Sequence, residues 1–440
     1  MGVTELSKNK ILSFLFAISL VVFSFRGKYG GILIGLILII EFLFLLKEKK
    51  LRLKLCFENI WVLFVLIFAV ISNAIRTINF EYYLQLGYLL AVVVLLNLDL
   101  NKFEDFFKYV KFISIFEAFS IYLQKFLPSI YYSIISIILP DDVVFQITKR
   151  FSEGYLTGFS REVSYTMFLI SIGIGMYWFN CTFNNTTTTK KNVVPILFLF
   201  GALILSGKRA TLLFSIISLF ITSFIVSRDK LKIIKYSMIF IILFMIVIFT
   251  YDFWSKIPSL QRIVELLSFI KDNDFIGITN GRTIIYETAI NLWNTNPLTG
   301  IGWGNFKYAV PSSLWFSGFD VHNCFLQVFC ETGYIGGILY IILIIGSLIK
   351  VVTCNYKFRN EKSDIRSLTK FLCYVEFYFV LYSITEPILY EYTDYIIFFI
   401  CINTTSLLLL NRRTGKFNIN NSRLLLNFKG KENQIEKIIS

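Results

Sequence analysis

The chain has 440 residues, of which 56% are hydrophobic and 18% aromatic, and it carries a formal net charge of +14. Soluble globular domains are nearer half apolar and far poorer in aromatic residues, so this composition excludes a soluble globular protein. It predicts an all-α polytopic membrane protein.

A transmembrane helix needs about 20 largely apolar residues, and the chain offers about twelve such segments. The first is followed by another span almost at once and by no small-residue cleavage site, which indicates a retained helix rather than a signal peptide. The spans are predicted near residues 11–25, 30–46, 58–75, 82–98, 109–127, 160–180, 193–207, 209–226, 233–250, 322–349, 368–386 and 394–411. They divide the chain into an N-terminal transmembrane bundle (1–250), a long external loop (251–321), C-terminal transmembrane helices (322–411) and a cytoplasmic tail (412–440).

The basic residues follow the predicted topology. Connections rich in Lys and Arg alternate with poor ones when the N-terminus is placed in the cytoplasm, as the positive-inside rule requires. The rich connections are residues 47–54, 228–235 and 350–370 and the tail from Arg412. The charge is therefore explained by a multi-pass membrane protein with both termini cytoplasmic and anionic lipid at the inner face, and no nucleic-acid partner is required.

Polar residues gather on the external side of this topology, and they include the only histidine of the chain: Arg161, Arg209, Arg282 and His322. External arginine runs against the charge bias, so a functional reason is expected. The favoured interpretation of Lys208 is a snorkelling cation at a tight turn, whereas Arg209 is interpreted as functional. Arg161 is either functional or the partner of Glu162 in a local ion pair.

The external loop contains a predicted amphipathic helix from Arg282 to Asn294, with Asn280 as its N-cap. Its apolar positions recur at three and four residues: Ile285, Tyr286, Ala289, Ile290 and Trp293. We expect this helix to lie at the membrane surface and to end at Asn296-Pro297. Alternating glycines then form a loop whose bare N–H groups can approach a partner, at Gly300, Gly302 and Gly304. No βαβ strand precedes them, so a dinucleotide site is disfavoured.

A polar stripe continues below His322. Asn323, Gln327 and Glu331 are spaced by four on an otherwise apolar helix, which places Glu331 about 13 Å below His322. An ionisable group at that depth either faces a cavity or makes a structural hydrogen bond to a neighbouring span. Glycines 333, 336 and 337 favour the close packing that the second interpretation needs.

The remaining chemistry-bearing residues are given structural interpretations. The seven cysteines show no Cys-x-x-Cys spacing and the chain has no second histidine, so they are interpreted as small apolar filler rather than a metal set. A metal-dependent transferase would draw on Asp141-Asp142, but this pair is more simply a solvated acidic turn after Pro140.

These motifs, taken in order, resemble the O-antigen polymerase and O-antigen ligase superfamily of bacterial envelope polysaccharide enzymes. The resemblance covers roughly 130 residues. It is carried by Gly281-Arg282, Trp293, the run from Pro297 to Phe306, the run from His322 to Leu326 and the run from Glu331 to Gly336, with upstream support from Ser206 to Arg209 and from Gly158 to Glu162.

The resemblance implies a membrane-embedded, C-type glycosyltransferase whose substrate is an undecaprenyl-pyrophosphate-linked oligosaccharide. A pyrophosphate leaving group is already activated, so no cofactor is needed, and arginine suits its developing charge. Arg282 and Arg209, with Arg161 as a third candidate, are assigned to the pyrophosphate, and His322 to the acceptor hydroxyl as base. Further substrate-binding candidates are Glu162, Tyr286, Gly302, Gly304, Asn323 and Glu331, and Trp293, Trp303 and Trp315 offer apolar faces for sugar stacking.

Within this superfamily a surface-polysaccharide polymerase is preferred, with O-antigen ligase as the alternative, because nothing marks a site for lipid A core. A lipid-linked oligosaccharide flippase also has about twelve spans, but it is expected to show internal repeats and broken helices at the midplane. A scaffold would not need the loop motifs. Candidate partners are membrane lipid, a chain-length regulator and a separate flippase.

Overall fold

The computed structural model of the protein describes residues 57–75, 104–183, 189–227, 281–361, 363–388 and 390–413, together with scattered single positions. Every regular element within these ranges is helical, which confirms the all-α prediction for the described part of the chain. The predicted spans near 82–98 and 233–250, Asn280 and the tail beyond 413 lie outside the described residues, as do most of the spans near 11–25 and 30–46 and most of the loop from 251 to 280.

The helices of the described ranges comprise long segments of 17 residues or more and four shorter ones. In chain order they are α1 (Phe57–Ile75), α2 (Glu104–Phe126), α3 (Pro128–Ile138), α4 (Asp141–Ser152), α5 (Val163–Phe183), α6 (Thr189–Leu205), α7 (Arg209–Val226), α8 (Arg282–Thr295), α9 (Phe306–Ala309), α10 (Cys324–Phe358), α11 (Ser363–Tyr382) and α12 (Tyr392–Arg413).

Two described helices, α7 and α10, have the length and apolar composition of membrane-crossing segments. Shorter apolar stretches lie in α3, α5, α6 and α12. These helices fit insertion in a membrane, and their bounds agree with predicted spans to within a few residues in α1, α5 and α7. The predicted total of about twelve spans is not confirmed within the described ranges.

Helix α10 is broken at Gly333, where the sequence predicts one continuous span. Gly333 has φ +65°, and a Cβ there would collide with the Leu298 backbone, just as a Cβ at Gly300 would collide with that of Glu331. The two segments exchange backbone hydrogen bonds across this contact, from Ile301 N to Cys330 O (3.0 Å) and from Tyr334 N to Pro297 O (2.8 Å). The break thus exists because the glycine loop occupies the position of a helical turn.

Helix α8 and the loop that follows it form a small core of their own. The helix begins after Gly281, whose φ is +76°, and its end at Asn296 is confirmed. Its buried positions Ile285 and Ala289 face the loop and the first half of α10. The amphipathic pattern is therefore explained by packing on protein. The core is completed by Ile301, Phe306, Val310, Phe316, Val321 and Cys330.

The main core lies among α1, α2, α5, α6, α7, α10, α11 and α12. A ladder of stacked tyrosine rings runs along α11 through Tyr374, Tyr378 and Tyr382, with centroids 5.8 and 5.5 Å apart. At the end of this ladder, Cys324 N donates to Ser383 O at 2.8 Å, which joins the start of α10 to the end of α11. This junction places the connection from α11 to α12 beside the ends of α5, α7 and α8.

Helices α3 and α4 form a hairpin in a region that the sequence assigns to an external loop. Their facing residues make a separate small core with Leu123, namely Tyr131, Ile135, Leu139, Val143 and Ile147. Asp141 and Asp142 are exposed in the first turn of α4, where negative charge suits the helix dipole.

Candidate active site

The carboxylate of Glu386, on the connection between α11 and α12, is the centre of a charged cluster. Lys208 Nζ lies 2.8 Å and Arg282 Nη2 3.3 Å from Glu386 Oε1, and His322 Nδ1 lies 3.7 Å from Oε2. The Glu386 side chain is 6% exposed, compared with 13% for Lys208, 22% for Arg282 and 31% for His322. The cluster is therefore buried at its carboxylate and open at its histidine.

Lys208 and Arg282 each lie at the start of a helix, which fixes the position of the backbone that carries them. Lys208 directly precedes α7 and also donates to Ser164 Oγ, in the first turn of α5, at 2.6 Å. Arg282 is the first residue of α8, and its Nη1 donates to Thr385 O at 2.6 Å. Both side chains are thus held by a second polar partner, which fixes their direction toward Glu386.

His322 has an unusual backbone conformation. Its φ of +56° makes it the only non-glycine residue with positive φ among the described residues. Such outliers cost about 1–3 kcal/mol and concentrate at functional sites. The carbonyl of His322 accepts a hydrogen bond from Tyr286 Oη at 3.4 Å, and Asn323 caps α10 through Oδ1 and Leu326 N at 3.0 Å. These contacts hold the imidazole beside Glu386.

The electrostatics of the cluster favour an ionised Glu386. Burial alone would raise the pKa of this carboxyl, but Lys208, Arg282 and His322 together hold its pKa well below 4.5. Burial would lower the pKa of Arg282, and Glu386 and Tyr286 reverse this and raise it. Two cations face one carboxylate, so the cluster keeps at least one uncompensated positive charge whatever the protonation state of His322.

Arg161 belongs to a neighbouring polar group. Tyr165 hydrogen-bonds both Arg161 and Glu391, a half-buried carboxyl just before α12. Burial, assisted by Asp320 and Glu386 and opposed by Tyr165 and Arg161, raises the pKa of Glu391 to about 7. Glu162, the predicted ion-pair partner of Arg161, accepts two hydrogen bonds from Arg150 Nη2 at 3.1 and 3.2 Å and also attracts the Arg161 guanidinium electrostatically.

Glu331 is a structural clamp on the glycine loop. Its carboxylate accepts hydrogen bonds from Gly304 N at 2.7 Å, Phe306 N at 3.2 Å and Tyr390 Oη at 2.5 Å. Gln327, one turn earlier, also donates to it at 3.3 Å. The N–H groups of the loop, which the sequence predicts to be free for a partner, are therefore hydrogen-bonded to Glu331. The backbone carbonyl of Glu331 also accepts a hydrogen bond from Gly302 N at 2.9 Å. Of the two interpretations of Glu331, the structural hydrogen bond is the one observed.

The structure brings together Arg282 and His322, as the sequence suggested, and it adds Lys208 and Glu386 to the cluster. The snorkelling interpretation of Lys208 is wrong because its ammonium is buried in the cluster, while Arg209 lies next to it as the half-buried first residue of α7. Glu386 was missed altogether. A signal existed, since a carboxylate in a short connection between two apolar helices needs a partner.

Within the described residues no group of three or more His, Cys, Asp or Glu side chains is placed to hold a metal ion. The cysteines at 324, 330, 354, 373 and 401 are free and buried. The cluster can nevertheless perform two chemical tasks. Its cations can stabilise an anionic leaving group, and the imidazole, whose Nδ1 faces Glu386 Oε2 at 3.7 Å, can accept a proton at Nε2.

Comparison with known families finds a match over part of the chain. The model of the O-antigen ligase family matches residues 194–341, a segment that contains Lys208, Arg282 and His322 but ends before Glu386. Members of this family are inner-membrane enzymes of glycosyltransferase or ligase type that act on lipid-linked glycans. No curated protein matches the chain. This match supports the resemblance of the chain to the O-antigen polymerase and ligase superfamily.

Proposed function

We propose that the protein polymerises a surface polysaccharide, an O-antigen, capsule or exopolysaccharide, at the outer face of the cytoplasmic membrane. A growing glycan chain on undecaprenyl pyrophosphate is transferred to a second, lipid-linked repeat unit. The observation that carries the proposal is the meeting of Lys208, Arg282 and His322 on one buried carboxylate, Glu386. A net positive pocket beside an oriented imidazole fits a pyrophosphate leaving group and a hydroxyl nucleophile.

The reaction proceeds by one displacement. The acceptor hydroxyl oxygen forms a bond to the anomeric carbon of the donor sugar, and the bond from that carbon to the pyrophosphate oxygen breaks. The electron pair leaves with the pyrophosphate, where Arg282 and Lys208 stabilise its charge. The hydroxyl proton passes to His322 Nε2, and ionised Glu386 stabilises the imidazolium formed.

Arginine and lysine have different tasks in this scheme. The planar guanidinium of Arg282 binds phosphate oxygens in a bidentate manner, whereas the Lys208 ammonium acts as a point charge. Arg209 and Arg161 remain candidates for the second phosphate or the donor sugar. Before substrate binds, Glu386 Oε1 pairs with both cations of the cluster, and an incoming pyrophosphate competes with it for them.

O-antigen ligase is the second candidate, because the matching family model carries that description. The two functions differ in acceptor. Purified protein in vesicles, given a lipid-linked repeat unit alone, should extend it into polymer. Transfer only after lipid A core is added would establish the ligase, and translocation without any glycosidic bond would establish a flippase.

The external position of the site has its own test. Ser312 is exposed in the loop that follows α9. The Ser312→Cys variant should react with a membrane-impermeant thiol reagent in intact cells whose outer barrier has been opened, relative to the unsubstituted protein. Labelling that requires lysis would place the loop in the cytoplasm and would overturn the mechanism with it.

A further inference from the structure

Helix α3 has three distinct faces. Its 11 residues rise about 16 Å, too short to cross a hydrocarbon core of about 30 Å. One face, with Tyr131 and Ile135, is buried. A second is apolar and exposed, and we call it the α3 apolar arc: Leu127 (51% exposed), Ile130 (52%), Ile137 (85%) and Ile138 (59%).

The third face is polar. Ser129, Ser133 and Ser136 are exposed, and the hydroxyls of Ser133 and Ser136 bond back to the carbonyls of Ser129 and Ser133 at 2.9 and 3.0 Å. Viewed down the helix axis, at about 100° per residue, Ile138 lies on one side of Ile130 and the three serines lie on the other side. A short helix whose exposed surface divides into an apolar and a polar side suits the plane of a membrane interface.

The α3 apolar arc continues a surface that already runs along α2. Phe112, Phe116, Phe119 and Phe126 share one side of α2 and are 70%, 37%, 52% and 65% exposed. These phenylalanines lie in the span predicted over residues 109–127, where exposed apolar side chains would face hydrocarbon. Since Phe126 directly precedes Leu127, the two apolar surfaces join where α2 ends.

We propose that α3 lies in the membrane interface, with its apolar arc among the acyl chains of the leaflet on the site's side. This inference depends on no step of the proposed reaction. Continuity with the α2 phenylalanines favours lipid as the occupant over a second copy of this chain. The arc is also small beside the roughly 800 Å² that each partner buries in a stable protein interface.

The buried face of α3 connects this lipid contact to the site. Tyr131 Oη donates to Gly158 O, and its ring stacks on Phe159 with centroids 5.7 Å apart. Three residues beyond Gly158, Arg161 shares Tyr165 with Glu391. Seating of α3 in the lipid therefore supports the loop that carries Arg161.

The test is photo-crosslinking in vesicles of phosphatidylethanolamine and phosphatidylglycerol. A photoreactive amino acid is placed at position 137, with position 136, about 100° away on the serine face of the same helix, as the matched control. We expect lipid adducts at 137, detected by mass spectrometry, at least several-fold above those at 136. Position 130 is a second test site should the protein with the probe at 137 not be recovered from the membrane.

Two results would overturn the proposal. Equal lipid labelling at 137 and 136 would place α3 in water or wholly in the hydrocarbon. A crosslinked dimer in place of lipid adducts would show that the arc binds a second copy of the chain. Neither result would touch the proposed transfer reaction, which is measured separately by polymer formation.

Discussion

Arg282 and Glu386 are in contact across 104 residues of sequence, with Nη2 3.3 Å from Oε1, and the same carboxylate oxygen is 2.8 Å from Lys208. One oxygen therefore orients two cations that belong to different helices. Because Glu386 is nearly inaccessible to solvent, this arrangement is weakly screened and holds the cations at a fixed separation before any anion binds.

Replacement of Glu386 by glutamine should lower turnover by about tenfold or more, because hydrogen bonds to charged groups contribute about 1.5–3 kcal/mol. The neutral amide can neither neutralise Lys208 and Arg282 nor stabilise the imidazolium of His322. The control is Glu153→Gln, which removes an exposed ion pair with Arg150 and should change little. Wild-type turnover in Glu386→Gln would show that the carboxylate has no part in the reaction.

The Glu386 cluster should also contribute a pH-dependent stability. A carboxyl whose pKa is lowered in the folded state stabilises the fold above its ordinary pKa of 4.5, and this contribution is lost as the pH falls toward the lowered value. The wild type should therefore melt at a higher temperature than Glu386→Gln at neutral pH, and the difference should shrink below about pH 4.5. A constant difference down to strongly acidic pH would contradict the depressed pKa.

Activity should depend on the shape of the side chain at position 282 as well as on its charge. If its guanidinium fork binds pyrophosphate, Arg282→Lys should lose most activity although the charge is kept, and Arg282→Ala should be no better. The lysine also cannot span both Thr385 O and Glu386. Polymer length and rate are measured at matched protein levels, with Arg359→Lys as the control near the far end of α10. Full activity of the lysine variant would reduce Arg282 to a replaceable cation.

His322→Gln and His322→Ala should accumulate single lipid-linked repeat units. A general base contributes typically 10²- to 10⁴-fold to the rate. We expect the loss in kcat more than in donor binding, since Arg282 and Lys208 remain. A near wild-type rate in His322→Gln with an unchanged pH profile would remove the histidine as base. Glu391 would then be examined next, because its raised pKa of about 7 suits proton transfer and Glu331 is occupied as a clamp.

Gly333→Ala should destabilise the protein by about 2 kcal/mol or more. At φ +65° and ψ −165°, a region essentially restricted to glycine, another residue costs about 1–3 kcal/mol, and the added Cβ meets the Leu298 backbone. Gly346→Ala in the same helix is the matched control, since its Cβ would have nothing within 4 Å, and it should be neutral or mildly stabilising. Melting in detergent compares the two, and equal melting temperatures would contradict the observed break in α10.

The sequence by itself determined the helical class, the ends of several helices and two members of the site. Runs of apolar residues and the spacing of Ile285 and Ala289 are local signals. Each of these signals lies within the helix that it predicts. Arg282 and His322 were found for a similar reason, because a cation or a lone imidazole in an external segment is unusual wherever the chain goes next.

Only the tertiary structure decided which charges meet. Lys208, Arg282 and Glu386 lie on three separate parts of the chain, and Coulomb energy depends on distance in space rather than in sequence. The same holds for Glu331, whose partners are backbone N–H groups brought to it by the close contact of Gly300 with α10. Local pattern shows that a buried carboxylate needs a partner, and the packing of helices alone determines which partner it receives.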